Sequence, residues 1–98
     1  MEIVKTFNEE TLNIALEGRL DTMTAPQFEK ELKESIDGIK NLVLDFEKLA
    51  YVSSAGLRVI LSAQKIMNKQ GTMKILNVGD DIMEVFEITG FADILTIE

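Results

Sequence analysis

The sequence predicts a single α/β domain with a mixed β-sheet: an antiparallel N-terminal edge hairpin, a parallel centre and crossover α-helices. Three observations lead there. The first 17 residues hold two strand-length runs and a turn, with no helix between them. From residue 24 onward, stretches with helical spacing alternate with short apolar runs of strand length. The length of 98 residues suffices for one core and not for two, so residues 1–98 form one domain. Parallel neighbours joined by helices imply right-handed crossovers.

Residues 2–7 read as a short strand and Asn8-Glu9-Glu10 as a turn. Residues 11–17 alternate, with Leu12, Ile14 and Leu16 on one face, so the two runs form a hairpin. Gly18 breaks the alternation, and residues 19–23 read as a connector. Thr24 followed by Ala-Pro-Gln reads as a helix start, with a Thr cap, Pro in the first turn and Gln27 at the capping-box position. Phe28, Leu32 and Ile36, with Ala25, supply the apolar stripe, and Asp37-Gly38 supplies the stop.

Leu42, Val43, Leu44 and Phe46 form a near-continuous apolar run suited to a strand buried on both faces, and residues 47–52 read as a loop. In residues 54–69, Arg58, Ser62, Lys65 and Lys69 share one narrow polar arc of a helical wheel. Leu57, Val59, Ile60, Leu61, Ala63, Ile66 and Met67 fill most of the rest, which marks a helix. Gln70-Gly71 stops it, and residues 73–77 read as a strand. Gly79-Asp80-Asp81 opens a third helix, with acidic side chains at the positive end of its dipole. Ile82, Val85, Phe86 and Thr89 share a face of it, Gly90 ends it, and Ile94, Leu95 and Ile97 read as a last short strand.

Composition narrows the function. There is no His and no Cys, so Ser-His-Asp and Cys-His sites cannot be built, nor can ordinary zinc sites. The 17 Asp and Glu residues are mostly solvated surface charges. A net charge of −7 argues against a nucleic-acid or anionic-membrane surface. No apolar run of about 18 residues offers a transmembrane helix, and the N-terminus lacks the basic start of a signal peptide. A chain without cysteine is compatible with a reducing cytoplasm, the expected location. Neither GxxxxGK[ST] nor GxGxxG occurs, which lowers a nucleotide-binding reading. No enzymatic activity and no cofactor are expected.

In open sheets of this kind, sites gather beyond the carboxyl ends of the strands. The loop after Phe46 and the connector after Glu17 both lie there, which brings Asp21 and Ser54 to one rim. Ser53-Ser54-Ala55-Gly56 stands at the entrance of the 54–69 helix, where unpaired N–H groups favour an anion such as phosphate. From the residues alone, Ser54 reads as a cap or a first-turn serine, Ser53 as the cap and Asp21 as a turn carboxylate. Gly56 reads as a small first-turn residue or as room for a partner's backbone to approach. Val59, Ala63 and Ile66 lie at one margin of the apolar arc and are the candidates for partner contact, the rest of the arc being core.

The run LDFEKLAYVSSAGLRVIL resembles the signature of STAS domains, the fold of bacterial anti-sigma factor antagonists. That pattern is an apolar strand, a loop ending in an Asp-Ser-Ser/Thr-Gly-Leu-like turn, then an apolar helix. GRLDTMTAPQFEKEL and VFEITGFADILTI are similar to two further family segments, in the same order and at matching separations. By this resemblance Ser54 matches the family's phosphorylated serine, and Gly56-Leu57 match its Gly-Leu. Asp21, with Thr22 beside it, matches the acidic position next to the phosphorylation loop. Ser53 stands where many members have Asp, which makes it the alternative acceptor, and Ala55 stands where many have Ser or Thr. Many antagonists carry another helix after the last strand, and this sequence stops at Glu98.

The resemblance implies a phosphorylation-switched binding module. Its partners would be an anti-sigma factor that is a serine protein kinase and a phosphatase that resets the switch, with a sigma factor released on binding. The implied partner surface comprises Asp21, Thr22, Ser53, Ser54, Gly56, Val59 and Ala63. STAS-like domains also serve as assembly subunits of transport or lipid-trafficking systems without phosphorylation, and that is the alternative.

Overall fold

The computed structural model describes all residues, Met1–Glu98. Strands β1 (Glu2–Asn8) and β2 (Thr11–Leu20) are followed by helix α1 (Ala25–Ser35), strand β3 (Asn41–Val52) and helix α2 (Ser54–Gln70). Strand β4 (Thr72–Leu76), helix α3 (Asp80–Thr89) and a short 3-10 turn (Phe91–Asp93) complete the chain. The sheet runs in the order β1-β2-β3-β4. β1 and β2 pair antiparallel, whereas β2–β3 and β3–β4 pair parallel.

The strand order advances in one direction, so two right-handed crossovers place α1 and α2 on the same face of the sheet. Leu12, Ile14 and Leu16 of β2, Leu42, Leu44 and Phe46 of β3, and Met73 and Ile75 of β4 point to that face and are fully buried. Phe28 and Leu32 of α1, Ile60 and Met67 of α2, and Ile82 and Phe86 of α3 join them in one continuous core. The opposite face stays open. Val43 and Asp45 are only half-buried, so β3 is not covered on both sides as its apolar run suggests. Asn41 donates to Thr11 Oγ1 at 3.3 Å and accepts from Thr72 Oγ1 at 2.8 Å, a side-chain ladder that satisfies polar groups across three strands. On the edge, Lys5 of β1 bonds Glu31 at 2.6 Å and Ser35 at 2.9 Å, which ties the hairpin to α1.

Two expected boundaries move. β2 continues through Gly18 to Leu20, and β3 continues through the residues expected to form a loop as far as Val52. The register explains both. Ala15 opposes Asp45 but Glu17 opposes Lys48, and Gly18 opposes Leu49 but Arg19 opposes Tyr51. Each step adds one residue on β3, so β3 carries two bulges. Buried positions then fall three apart, at Phe46, Leu49 and Val52, rather than two apart. Gly18 accommodates the distorted pairing on β2 with φ +108°, a conformation a side chain would strain.

The last predicted strand shrinks to a single parallel bridge between Ile97 and Ile75. After Gly90, the chain turns tightly, with Leu95 N–H bonding Phe91 C=O at 2.9 Å, and buries Leu95. Only the following residues run beside β4, where Ile75 N–H bonds Thr96 C=O and Glu98 N–H bonds Ile75 C=O, both at 2.9 Å.

Candidate functional site

The two loops expected to meet do so through backbone. Ser53 N–H donates to Leu20 C=O at 2.9 Å, which joins the end of β2 to the entrance of α2. Ser53 is the N-cap of α2, in extended conformation, and its Oγ accepts from Gly56 N–H at 3.4 Å. Ser53 C=O receives the first helical bond, from Leu57 N–H at 2.9 Å. Ser54 is therefore the first helical residue, exposed and free of any cap bond.

Gly56 is buried in the same corner. A Cβ there would lie 2.6 Å from Leu20 Cγ and 3.1 Å from Leu20 C=O. The room that Gly56 leaves is filled by this chain's own Leu20, so the expectation of space for a partner's backbone is corrected.

Asp21 organises the loop after β2. Its Oδ1 accepts from Met23 N–H at 3.0 Å and Thr24 N–H at 3.1 Å, while its C=O accepts from Ala25 N–H at 2.8 Å. The Thr24 hydroxyl does not cap α1. It donates to Arg19 C=O at 2.7 Å and accepts from Asp21 N–H at 2.9 Å. The predicted capping box is absent too, because the Gln27 amide reaches Met1 C=O at 3.4 Å. Desolvation, the largest influence on the Asp21 carboxyl, raises its pKa. The hydrogen bonds from Thr24 and Met23, with the Arg19 charge, outweigh it and hold the carboxyl below the ordinary aspartate value. Thr22 is exposed beside it.

Three residues that the sequence did not single out join this rim. The Arg19 guanidinium stacks over the Tyr51 ring, 4.2 Å from its centroid, and lies 3.7 Å from Asp21 Oδ2. Arg19 and Tyr51 are neighbours only because of the second β3 bulge, a register no spacing rule reveals. Met23 projects from the same loop and is 87% exposed, the most exposed of the large hydrophobic side chains. An exposed Met in a connector gives no periodic signal.

Val59 and Ala63 are not at a free margin. Both are buried, and with Ile66 they face Leu32 and Ile36 of α1. Their expected partner role is corrected: the neighbouring helix already covers them.

The STAS domain family model matches residues 2–98 of the chain. The chain belongs to the STAS family. Among STAS relatives, BtrV of Bordetella bronchiseptica, provisionally named an anti-sigma factor antagonist, is 39% identical over 84 residues, covering 84% of this chain and 72% of its own. The anti-sigma-B factor antagonist of Staphylococcus aureus is 29% identical over 99% of this chain and 92% of its own. The STAS fold is shared with a solved Thermotoga maritima protein at a TM-score of 0.90 and 16% identity, covering 97% of this chain and 84% of that one. SpoIIAA in its unphosphorylated form superposes at a TM-score of 0.79 with 21% identity, covering 99% and 87%. The phosphorylated Bacillus form gives 0.78 at 21% identity, covering 99% and 91%.

Proposed function

We propose that this STAS domain is an anti-sigma factor antagonist whose binding is switched by phosphorylation of Ser54. It acts as a binding module and not as an enzyme. The observation that carries the reading is the exposed hydroxyl of Ser54 at the first position of α2, with Ser53 already occupied as the cap. Names of relatives from Bordetella and Staphylococcus support the same class. In the unmodified state the rim formed by Ser54, Thr22 and the Asp21 loop binds an anti-sigma factor that is itself a serine kinase, and a sigma factor is released. Phosphate adds about −1.5 to −2 charges at a surface that must lose water on binding. The helix entrance tolerates that charge within the domain, whereas an interface built for a neutral hydroxyl does not. A phosphatase restores binding.

Incubation with the kinase-type anti-sigma factor and ATP, followed by phosphosite mapping, tests this reading. The phosphate is expected on Ser54 and absent from Ser54→Ala. Incorporation that persists in S54A and disappears in Ser53→Ala would move the acceptor to Ser53.

A further inference from the structure

We propose that Arg58 is the intramolecular counter-charge for a phosphate on Ser54, an inference that rests on the reading of Ser54 as the acceptor. Both residues are exposed on α2, four positions apart. Side chains at that spacing lie one above the other on a helix, with Cβ atoms about 5–6 Å apart. Acid before base is the favourable order for such a pair, and the phosphate also suits the positive end of the helix dipole. The planar guanidinium presents two parallel N–H donors to phosphate oxygens, which an ammonium does not.

Arg58 is also available. The ion pairs in the structure engage Lys5, Arg19, Lys33 and Lys74, and none engages Arg58. The next cation on α2 is Lys65, nearly two turns further on. The other charged groups around this end of the sheet have their own places. Arg19 is held over Tyr51 beside Asp21, Asp21 is engaged in its loop, Lys48 belongs to the exposed stretch of β3, and Asp80 and Asp81 open α3 next to Leu49 and Ala50. Spacing also discriminates between the two serines. Ser53 precedes the helix and stands five positions from Arg58, off the shared face. Phosphorylation of Ser54 thus changes the rim twice: it adds a dianion, and it engages the free cation one turn away.

The test needs no kinase. The full chain is produced with genetically encoded phosphoserine at position 54, and the phosphate is titrated by 31P NMR in wild type, Arg58→Gln and Arg58→Lys. The second phosphate pKa, ordinarily about 6, is expected to be lower in wild type than in R58Q by roughly 0.3–0.7 of a pH unit. R58K should keep part of that difference, and about 1 M salt should narrow it. Equal values in wild type and R58Q overturn the inference, as does the same Arg58 dependence for phosphoserine at position 53. Failure of the kinase to modify Ser54 would remove the proposed switch while leaving this titration unaffected, so the two readings fail separately.

Discussion

The side chain of Leu20 fills the space beside Gly56: a Cβ at 56 would approach Leu20 Cγ to 2.6 Å and Cδ2 to 2.9 Å. This is the contact that seats the entrance of α2 on the end of β2 and so fixes where Ser54 stands. Leu20 itself is fully buried.

Gly56→Ala is therefore expected to destabilise the fold by about 1–2 kcal/mol. Overpacking costs about 1–3 kcal/mol, and the better helix propensity of Ala returns up to ~1 kcal/mol. Leu20→Ala alone should cost about 2–5 kcal/mol. Urea unfolding of both variants and the double mutant gives the coupling, and the double mutant should be less destabilised than the two costs added together. Additive costs would show that the two side chains do not compete for one space.

Leu44 of β3 lies between Ile14 of β2 and Ile75 of β4 and has no exposure. Leu44→Asp should leave the domain unfolded, because an unpaired buried carboxylate costs several kcal/mol against a total stability of about 5–15 kcal/mol. Circular dichroism reads the outcome, and a soluble variant with unchanged melting would contradict the placement of β3 in the interior.

The two adjacent serines should separate in stability measurements. Ser53→Ala removes the N-cap acceptor and should cost about 0.5–1 kcal/mol, near the low end for caps because the bond to Gly56 N–H is long at 3.4 Å. Ser54→Ala removes an exposed hydroxyl with no cap bond and should change stability by less than about 0.5 kcal/mol. Thermal melts of the pair decide between these assignments, and an S54A loss matching that of S53A would contradict them.

Asp21 gives a pH dependence of known sign. Its folded pKa lies below the ordinary aspartate value, so ionised Asp21 favours the folded state at neutral pH. That contribution is complete above the unfolded value and is lost as pH falls through the lower folded value. Asp21→Asn should be less stable than wild type at pH 7, and the gap should close in acid as wild-type Asp21 takes up its proton. A gap that stays constant from neutral pH down into that range would show that the charge on Asp21 contributes nothing.

The element order was readable in the sequence because most of the chain obeys simple periods. The alternation of Leu12, Ile14 and Leu16 and the polar arc of Arg58, Ser62, Lys65 and Lys69 each report one face of one element. What was hidden depends on contacts between elements. The β3 bulges shift buried positions from every second to every third residue, so Leu49 and Val52 read as loop. The cover over Val59 and Ala63 comes from α1, and a helical wheel shows only that the positions are apolar. Leu95 satisfies the apolar signal of a last strand, yet a turn anchored by Phe91 C=O uses the residues that the strand would need.

At the rim, Ser53 as cap followed from local chemistry, and the structure decides for Ser54 between cap and first-turn residue in favour of the latter. Thr24 was misread because Asp21, three residues earlier, takes its N–H, and its hydroxyl turns back to Arg19 C=O. The Arg19–Tyr51 stack required the strand register, which no single segment encodes.

The most direct test of the account is the affinity of the kinase-type anti-sigma factor for wild type, Ser54→Ala and Ser54→Asp, measured by calorimetry on samples whose folding is checked by thermal melting. All three should be folded, since the helix start accepts an added negative charge. Wild type and S54A should bind alike before any phosphorylation, and S54D should bind more weakly by at least tenfold, which corresponds to about 1.4 kcal/mol. Equal affinity for all three, with no phosphate transferred to the wild-type chain from ATP, would contradict the assignment of Ser54 as the switch.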